Sequence, residues 1–540
     1  MTLPKSLLVV SVAAVTAVMA AQLTVGATRQ SAYSWLDPLI DVQTMVNRDF
    51  VTEPDRDALR DGAIQGMLDA LGDPYTEFIP AQDVAEFDKQ TRGQFVGIGA
   101  EVRMQDGWLL IVSPLEDSPA YRAGVMANDR VTAIDGESTF NKTVNDCIDL
   151  LTGDPGTPVV ITVDRAGQEL QFEIERAQII TPTIKGVHRV NDHWDFWIDP
   201  EDKIAYIRLT QFTAGAVDDF ERAIRPLVDQ GLRGLVLDLR FNPGGLLPAA
   251  IELSDLFLKE GLIVSTKGRS RPEQRAFARP EGTLPDFPMV VLINRQSASA
   301  AEILSGALHD NGRAITLGER TFGKGSVQSV VALPSGAGQL KITEAHYFLA
   351  SGRKIHREDD SVEWGVDPSD GFYVPMTDPE YREMLTIRRQ EEIIRPRSED
   401  ESKDAQWSDP EWILGHLKDN QLAAAVDALQ IRLATGEWEA TGQTLPENGA
   451  ALVELKRAED VRDRLERELL RLDRQIEALA VGVDADEVPT TTILPDSDLT
   501  GGTVKVFDAD GKEIGTLKIT GPNLGSWLTG GPLEPEKKDE

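Results

Sequence analysis

One cysteine, Cys147, stands among 540 residues, so no disulfide can form within the chain and its fold must rest on packed cores. Positive charge is also short. Against 89 aspartates and glutamates there are 55 lysines and arginines, and the net charge of −34 argues against nucleic acid or an anionic membrane surface as partner. The six histidines, His188, His193, His309, His346, His356 and His416, form no HExxH pair, so neither a metal nor any other cofactor is expected. No GxSxG elbow occurs, which weighs against an ordinary Ser-His-Asp hydrolase. A long apolar run appears at the N-terminus. Met1 to Ala27 holds one lysine and then the run Leu7 to Ala21, with small residues around Ala20 and Ala27 that suit signal cleavage; an uncleaved anchor is the alternative. Either way the body of the chain is expected to be exported, to the periplasm or the outer face of the inner membrane.

What is present reads as a multidomain α/β chain, long enough for three or four domains. Strand patterns at Ile204 to Leu209, Leu235 to Leu239 and Met289 to Asn294 alternate with helix patterns at Val217 to Val228 and Pro248 to Leu258, which predicts a layered core. Upstream, residues 91–178 read as a β-rich module. Its strands are Glu101 to Met104, Trp108 to Val112 and a final one at Val159 to Arg165, with a short helix at Asn145 to Leu151. Pro38 to Asp69 reads as helical.

Two segments carry chemistry. Asn294 to Asp310 contains Ser299, and Glu319 to Gln328 contains Lys324 and Gln328. A serine hydroxyl is a weak nucleophile until a base takes its proton, and a lysine does so only as free amine. At its ordinary pKa of ~10.4, roughly one lysine in a few thousand is neutral at pH 7. Lowering that pKa by about three units costs about 4 kcal/mol, so the amine needs a dry setting, here expected from Phe322, Val327, Val330 and Val331. Plainer readings stand beside this one. Ser299 to Glu302 is a capping box before an apolar helix face, and a cap does not exclude catalysis at a helix N-terminus. Gly318 to Lys324 fits the phosphate-loop pattern GxxxxGK after a strand-like Ala314 to Leu317, although Gly325 replaces the magnesium-binding Ser or Thr. A nucleotide hydrolase therefore stays open. The turn Asn242 to Gly245 ends a buried strand and by composition alone is an ordinary turn.

Together these segments resemble the carboxy-terminal processing, or tail-specific, proteases, from about Trp35 to Tyr373. The likeness rests on Leu59 to Pro80 (LRDGAIQGMLDALGDPYTEFIP), Gly93 to Val102 (GQFVGIGAEV), Asp117 to Ser138, LDLRFNPGG at Leu237 to Gly245, and the Ser299 and Lys324 segments. The resemblance implies a serine endopeptidase with Ser299, rather than Ser297, as nucleophile, Lys324 as base and Gln328 orienting the lysine. It implies an oxyanion hole from the amides of Gly244 and Ala300, and a crotonase-like arrangement for the core. Ala301 departs from the serine common in relatives. The β-rich module resembles a PDZ domain, with Gly97, Ile98 and Gly99 as its carboxylate-binding loop. Such modules add an extended peptide to a sheet edge, so apolar C-termini of proteins are the expected partners, Ile98 lining the pocket for the last side chain. An adaptor or activator protein is a further expected partner. A catalytically weak adaptor that only captures C-termini is the alternative function.

The domain reading that results is 1–27 signal or anchor, 31–90 N-terminal helical region, 91–178 PDZ domain, 179–376 peptidase core, 377–409 linker, 410–480 helical extension, and 481–540 a small β hairpin region with a disordered tail. Pro410 to Leu433 reads as helical. Leucines and aliphatics from Leu452 to Leu479 recur at three- and four-residue steps, so N- or C-terminal helices are candidates for self-association.

Overall fold

This computed structural model describes residues 34–444, except 85–86, 88–93, 181, 191–192, 359–360 and 395–405, followed by scattered positions from 455 to 472 and by 503–507 and 513–518. It divides into two units, Met1–Ala451 and Leu452–Glu540. Residues 1–27, read above as a signal or anchor, and the C-terminal tail lie outside the described residues.

In the first unit the stretch expected to be one helical run is two helices, Asp37–Asp49 (α1) and Arg56–Asp69 (α2). Pro54 interrupts it, and the Asp55 carboxylate restarts it by accepting from the amides of Asp57 and Ala58. None of α1 is buried, and Leu39, Ile40, Val42 and Met45 stand exposed on it. An Asx turn at Asp73 then leads into the short strand Glu77–Pro80 (β1).

The β-rich module is an antiparallel sheet of Ala100–Gln105 (β2), Trp108–Pro114 (β3), Arg130–Ile134 (β4), Pro158–Arg165 (β5) and Gln168–Glu175 (β6), in that order. The helix Val144–Leu151 (α3) buries Cys147 and Leu151 in a core with Leu109, Ile111 and Ile161. Strand β5 does not close the module as expected, because β6 pairs along its whole length.

Next come Ile204–Leu209 (β7), Ala216–Asp229 (α4), Gly234–Asp238 (β8), Leu247–Asp255 (α5), Leu262–Lys267 (β9), Met289–Ile293 (β10), Ala300–Asp310 (α6) and Ile315–Gly318 (β11). Strands β7, β8, β10 and β11 are parallel neighbours. Their unbroken aliphatic runs follow from burial on both faces. Ala205, Ile207, Leu235, Leu237, Met289 and Val291 face α4, α5 and α6, while Ile204, Tyr206, Val236, Val290 and Leu292 face the opposite core. Each fully buried aliphatic side chain contributes about 2 kcal/mol, so both layers hold the sheet strongly. A second, antiparallel sheet is built on Ser326–Ala332 (β12) and Gly338–Phe348 (β13), the latter also pairing with β1 and β9.

The stretch read as a linker contains the helix Asp378–Glu392 (α7), whose Tyr381 and Met384 are buried. The expected helix from Pro410 is broken: a turn at Pro410–Trp412 and Ile413–Leu417 ends at left-handed Lys418, and Asn420–Thr435 (α8) starts afresh. Helix α8 is no appended extension. It lays Leu422, Ala425, Val426 and Leu429 on the second face of the parallel sheet.

In the second unit, Leu455, Leu465, Leu469 and Leu472 are helical and exposed, and Thr503–Phe507 (β14) pairs antiparallel with Glu513–Lys518 (β15), as a hairpin was expected to do. The intervening Asp510 and Gly511 lie outside the described residues.

Candidate active site

Strand β10 delivers the chain into the turn Asn294 to Ala298, and α6 follows. Asn294 Oδ1 accepts from the amides of Phe241 and Gln296, so this turn is tied to the end of β8. Ser297 is fully buried and its hydroxyl donates to the Leu239 carbonyl at 2.8 Å, which leaves it a structural serine. Ser299 is half-buried with φ 56° and ψ −114°, a left-handed conformation costing a residue with a Cβ about 1–3 kcal/mol. Such strain persists only where the surroundings impose it. Ala300 is the first residue of α6, so its amide has no acceptor within the helix.

Glu302 does more than cap. Its carboxylate is fully buried and accepts four bonds: Oε2 from the amides of Ser299 and Lys324, both at 2.8 Å, and Oε1 from the Gly323 amide at 2.7 Å and the Thr321 hydroxyl at 2.6 Å. Burial pushes this carboxyl up to about 7, while its four donors pull it down. One buried oxygen is thus shared by the Ser299 loop and the Lys324 loop. The Phe322 amide adds a second tie, to the Ser297 carbonyl.

Beyond Lys324 the chain becomes strand β12, not a helix. A phosphate loop needs a helix N-terminus after its GK, so the nucleotide-hydrolase reading fails on topology. Gly325 sits against the backbone of His356, where no side chain fits. The lysine's setting also differs from expectation: Phe322, Val330 and Val331 are 40%, 46% and 49% exposed and form no dry pocket. Instead Lys324 Nζ lies over the ring of Tyr75, 4.9 Å from its centroid. Burial lowers the Lys324 pKa from its ordinary value, Lys341 adds to this, and Glu302 opposes it. Gln328 Nε2 donates to Ser326 Oγ at 2.8 Å and to Thr343 Oγ1 at 3.1 Å. Among the described residues no hydrogen bond joins Lys324 Nζ to Ser299 or Gln328. The backbones of Ser299 and Lys324 are brought together through Glu302, while the Lys324 amine faces Tyr75 and the Gln328 amide faces Ser326 and Thr343.

The turn after β8 lies against the serine. A Cβ on Gly244, whose φ is 96°, would sit 2.7 Å from Ser299 Cβ and 2.9 Å from the Ala300 amide nitrogen, so only glycine fits. Asn242 holds this turn by donating to the Leu209 carbonyl and by accepting the Gly244 amide at 2.8 Å. That bond occupies one of the two expected oxyanion donors, leaving the Ala300 amide without an acceptor within α6.

In the β-rich module the Gly97 to Gly99 loop stands beside the C-terminal end of α3, where a Cβ on Gly97 would be 3.5 Å from the Leu151 carbonyl oxygen. Ile98 is 3% exposed and packs into the module's core, so its side chain is core rather than an open pocket wall. Ion pairing of Glu116 with Arg189, at 2.7 Å, ties the module to the core.

Sequence reasoning missed Tyr75 and underrated Glu302. The capping pattern exposed Glu302, but nothing local said that its carboxylate reaches a loop some twenty residues ahead. Tyr75 sat in the quoted GDPYTEF run without a role.

Residues 203–369 match the pattern of peptidase family S41, residues 110–165 that of a PDZ domain, and residues 12–82 that of the activating protease CtpB N-terminal domain. A carboxy-terminal-processing protease of Bartonella bacilliformis is 39% identical over 331 residues, 60% of this chain and 74% of that protein. The carboxy-terminal processing protease CtpA of Bacillus subtilis is 34% identical over 358 residues, 64% of this chain and 74% of that protein. Among solved structures, a photosystem II D1 C-terminal processing protease is 29% identical and covers 62% of this chain and 86% of its own, with a TM-score of 0.37.

Proposed function

The chain belongs to peptidase family S41, as a PDZ-containing serine protease of the carboxy-terminal processing kind, and from that premise we propose that Ser299 is its nucleophile and Lys324 its general base. The observation that carries this reading is the strained Ser299 at the start of α6, sharing one buried Glu302 oxygen with the Lys324 backbone.

In the proposed reaction the free amine of Lys324 takes the Ser299 hydroxyl proton as Oγ attacks the scissile carbonyl. The negative oxygen is held by the Ala300 amide at the positive end of α6 and by an amide of the Gly244–Gly245 turn, freed from Asn242 or re-aimed. Lys324 then protonates the leaving amine. The acyl-enzyme is hydrolysed by a water that the same amine activates, releasing a new carboxyl end. Gln328 orients the lysine once the amine swings from Tyr75 toward Ser299. No step calls for a metal or nucleotide.

The module carrying Gly97 to Gly99 is proposed to choose substrates by their free, apolar C-termini, an extended peptide lying along the sheet edge. Export to the periplasm or the outer face of the inner membrane is proposed on the N-terminal apolar run, and fractionation of tagged cells tests it.

The deciding experiment incubates the protein with an unfolded model protein ending in apolar residues and with its C-terminally amidated form, following fragments by mass spectrometry. Faster cleavage of the free-ended form, abolished by S299A, is the expected result. Capture of the free end without cleavage would leave only the adaptor role.

A further inference from the structure

The side chain that receives Lys324 comes from the N-terminal region, far away in sequence. Tyr75 follows an Asx turn in which its own amide donates to Asp73 Oδ1 at 3.1 Å and the Thr76 hydroxyl donates to Asp73 Oδ2 at 2.6 Å. The Thr343 amide donates to Thr76 Oγ1 at 3.1 Å, and Thr343 Oγ1 accepts from Gln328. Strand β1, two residues on, pairs with β13 from Glu77↔Lys341 to Pro80↔Gly338. The turn at 73–76 therefore fixes one side chain over Lys324 and is bonded, through Thr343, to Gln328.

We propose that Tyr75 is a positioning residue for the base: its ring face holds the Lys324 ammonium off Ser299 until a peptide enters, and sets how readily that ammonium loses its proton. The proposal rests on the reading of Lys324 as base. A ring quadrupole attracts the cation and not the free amine, so this contact favours the idle, charged form. The other groups bearing on Lys324 are Glu302, which also favours the charged form, and Lys341, which opposes it. Tyr75 itself is half-buried and its hydroxyl is pushed up by burial, Glu302 and Asp73, so it stays neutral in the range concerned. The ring face, not the hydroxyl, is what acts.

The test compares wild type with Y75L, Y75F and Y75W in the full chain. One readout is the titration of Lys324 itself, from the pH dependence of its acetylation by dilute acetic anhydride, read by peptide mass spectrometry. The other is the acid limb of kcat/KM for peptide cleavage. Losing one cation–π contact is expected to lower both midpoints in Y75L by roughly half a unit to one unit. Y75F is expected to keep them in place and Y75W, with the stronger ring, to raise them. Should Y75L not fold, the contrast between raised midpoints in Y75W and unmoved ones in Y75F carries the test. Unmoved midpoints in Y75L and Y75W, or a Y75F that shifts like Y75L, overturn the proposal. Cleavage surviving in K324A would instead sink the base reading, a result distinguishable from failure at Tyr75.

Discussion

At the scale of single residues, the site depends on atoms that have no chemical part in the reaction. Glu302 accepts four hydrogen bonds in a fully buried position, and an amide there would turn two donors toward groups that are all donors. E302Q is expected to lower stability by about 3 kcal/mol, measured by denaturant unfolding, and to reduce cleavage by more than about a hundredfold, since both loops lose their common anchor. Gly244 has no room for a methyl group between Ser299 and the Ala300 amide. G244A is expected to cut kcat by about 10²–10³, the order of one lost oxyanion donor, while circular dichroism stays native. The Ser299 and Lys324 segments drew attention in the sequence because serine and lysine stood there in the company of several ordered motifs, and the fold joins the two segments at Glu302. Tyr75 was not, because cation–π contact with a lysine some 250 residues away leaves no local trace.

At the scale of elements, strand β13 and the loop after it place His346 and His356 side by side, ring centroids 4.7 Å apart, flanking Gly325. Burial lowers the pKa of both; for His356 its neighbour His346 adds to this, and Lys354 acts on each, with Asp73 and Glu358 opposing. Folded pKa values below the unfolded one mean that the unfolded chain binds more protons. The pair's contribution is therefore whole above the ordinary 6.5 and is lost as pH falls below it through the lowered values. Thermal melts from pH 8 to 5 are expected to show a fall that H346N/H356N lessens. The strands and helices of the core were readable from period and run length. The break at Lys418 was not, because the apolar pattern runs on through it; what stops the helix is Asp419, drawn to Arg240 on another element while capping α8.

At the scale of the whole molecule, that same contact decides what the C-terminal part of the first unit is for. Arg240, fully buried two residues before Asn242, donates to both Asp238 and Asp419, and Arg388 of α7 joins them. Helices α7 and α8 are thereby clasped to the base of the Gly244 turn. Removing one partner strands a buried charge, so D419A is expected to cost about 3 kcal/mol or more, and a chain ending before residue 410 to yield no soluble, active enzyme. Composition suggested a linker and an appendage here because charged α7 and its surroundings resemble solvent-exposed sequence; the opposite charges meet only in the fold. The shared oxygen of Glu302 has a wider consequence. Two loops pinned at Glu302 and tied again between Phe322 and Ser297 move together, so a displacement of either is felt by both. Such a site is lost all at once rather than by halves: heating is expected to release the Ser299 loop and the Lys324 loop at the same temperature.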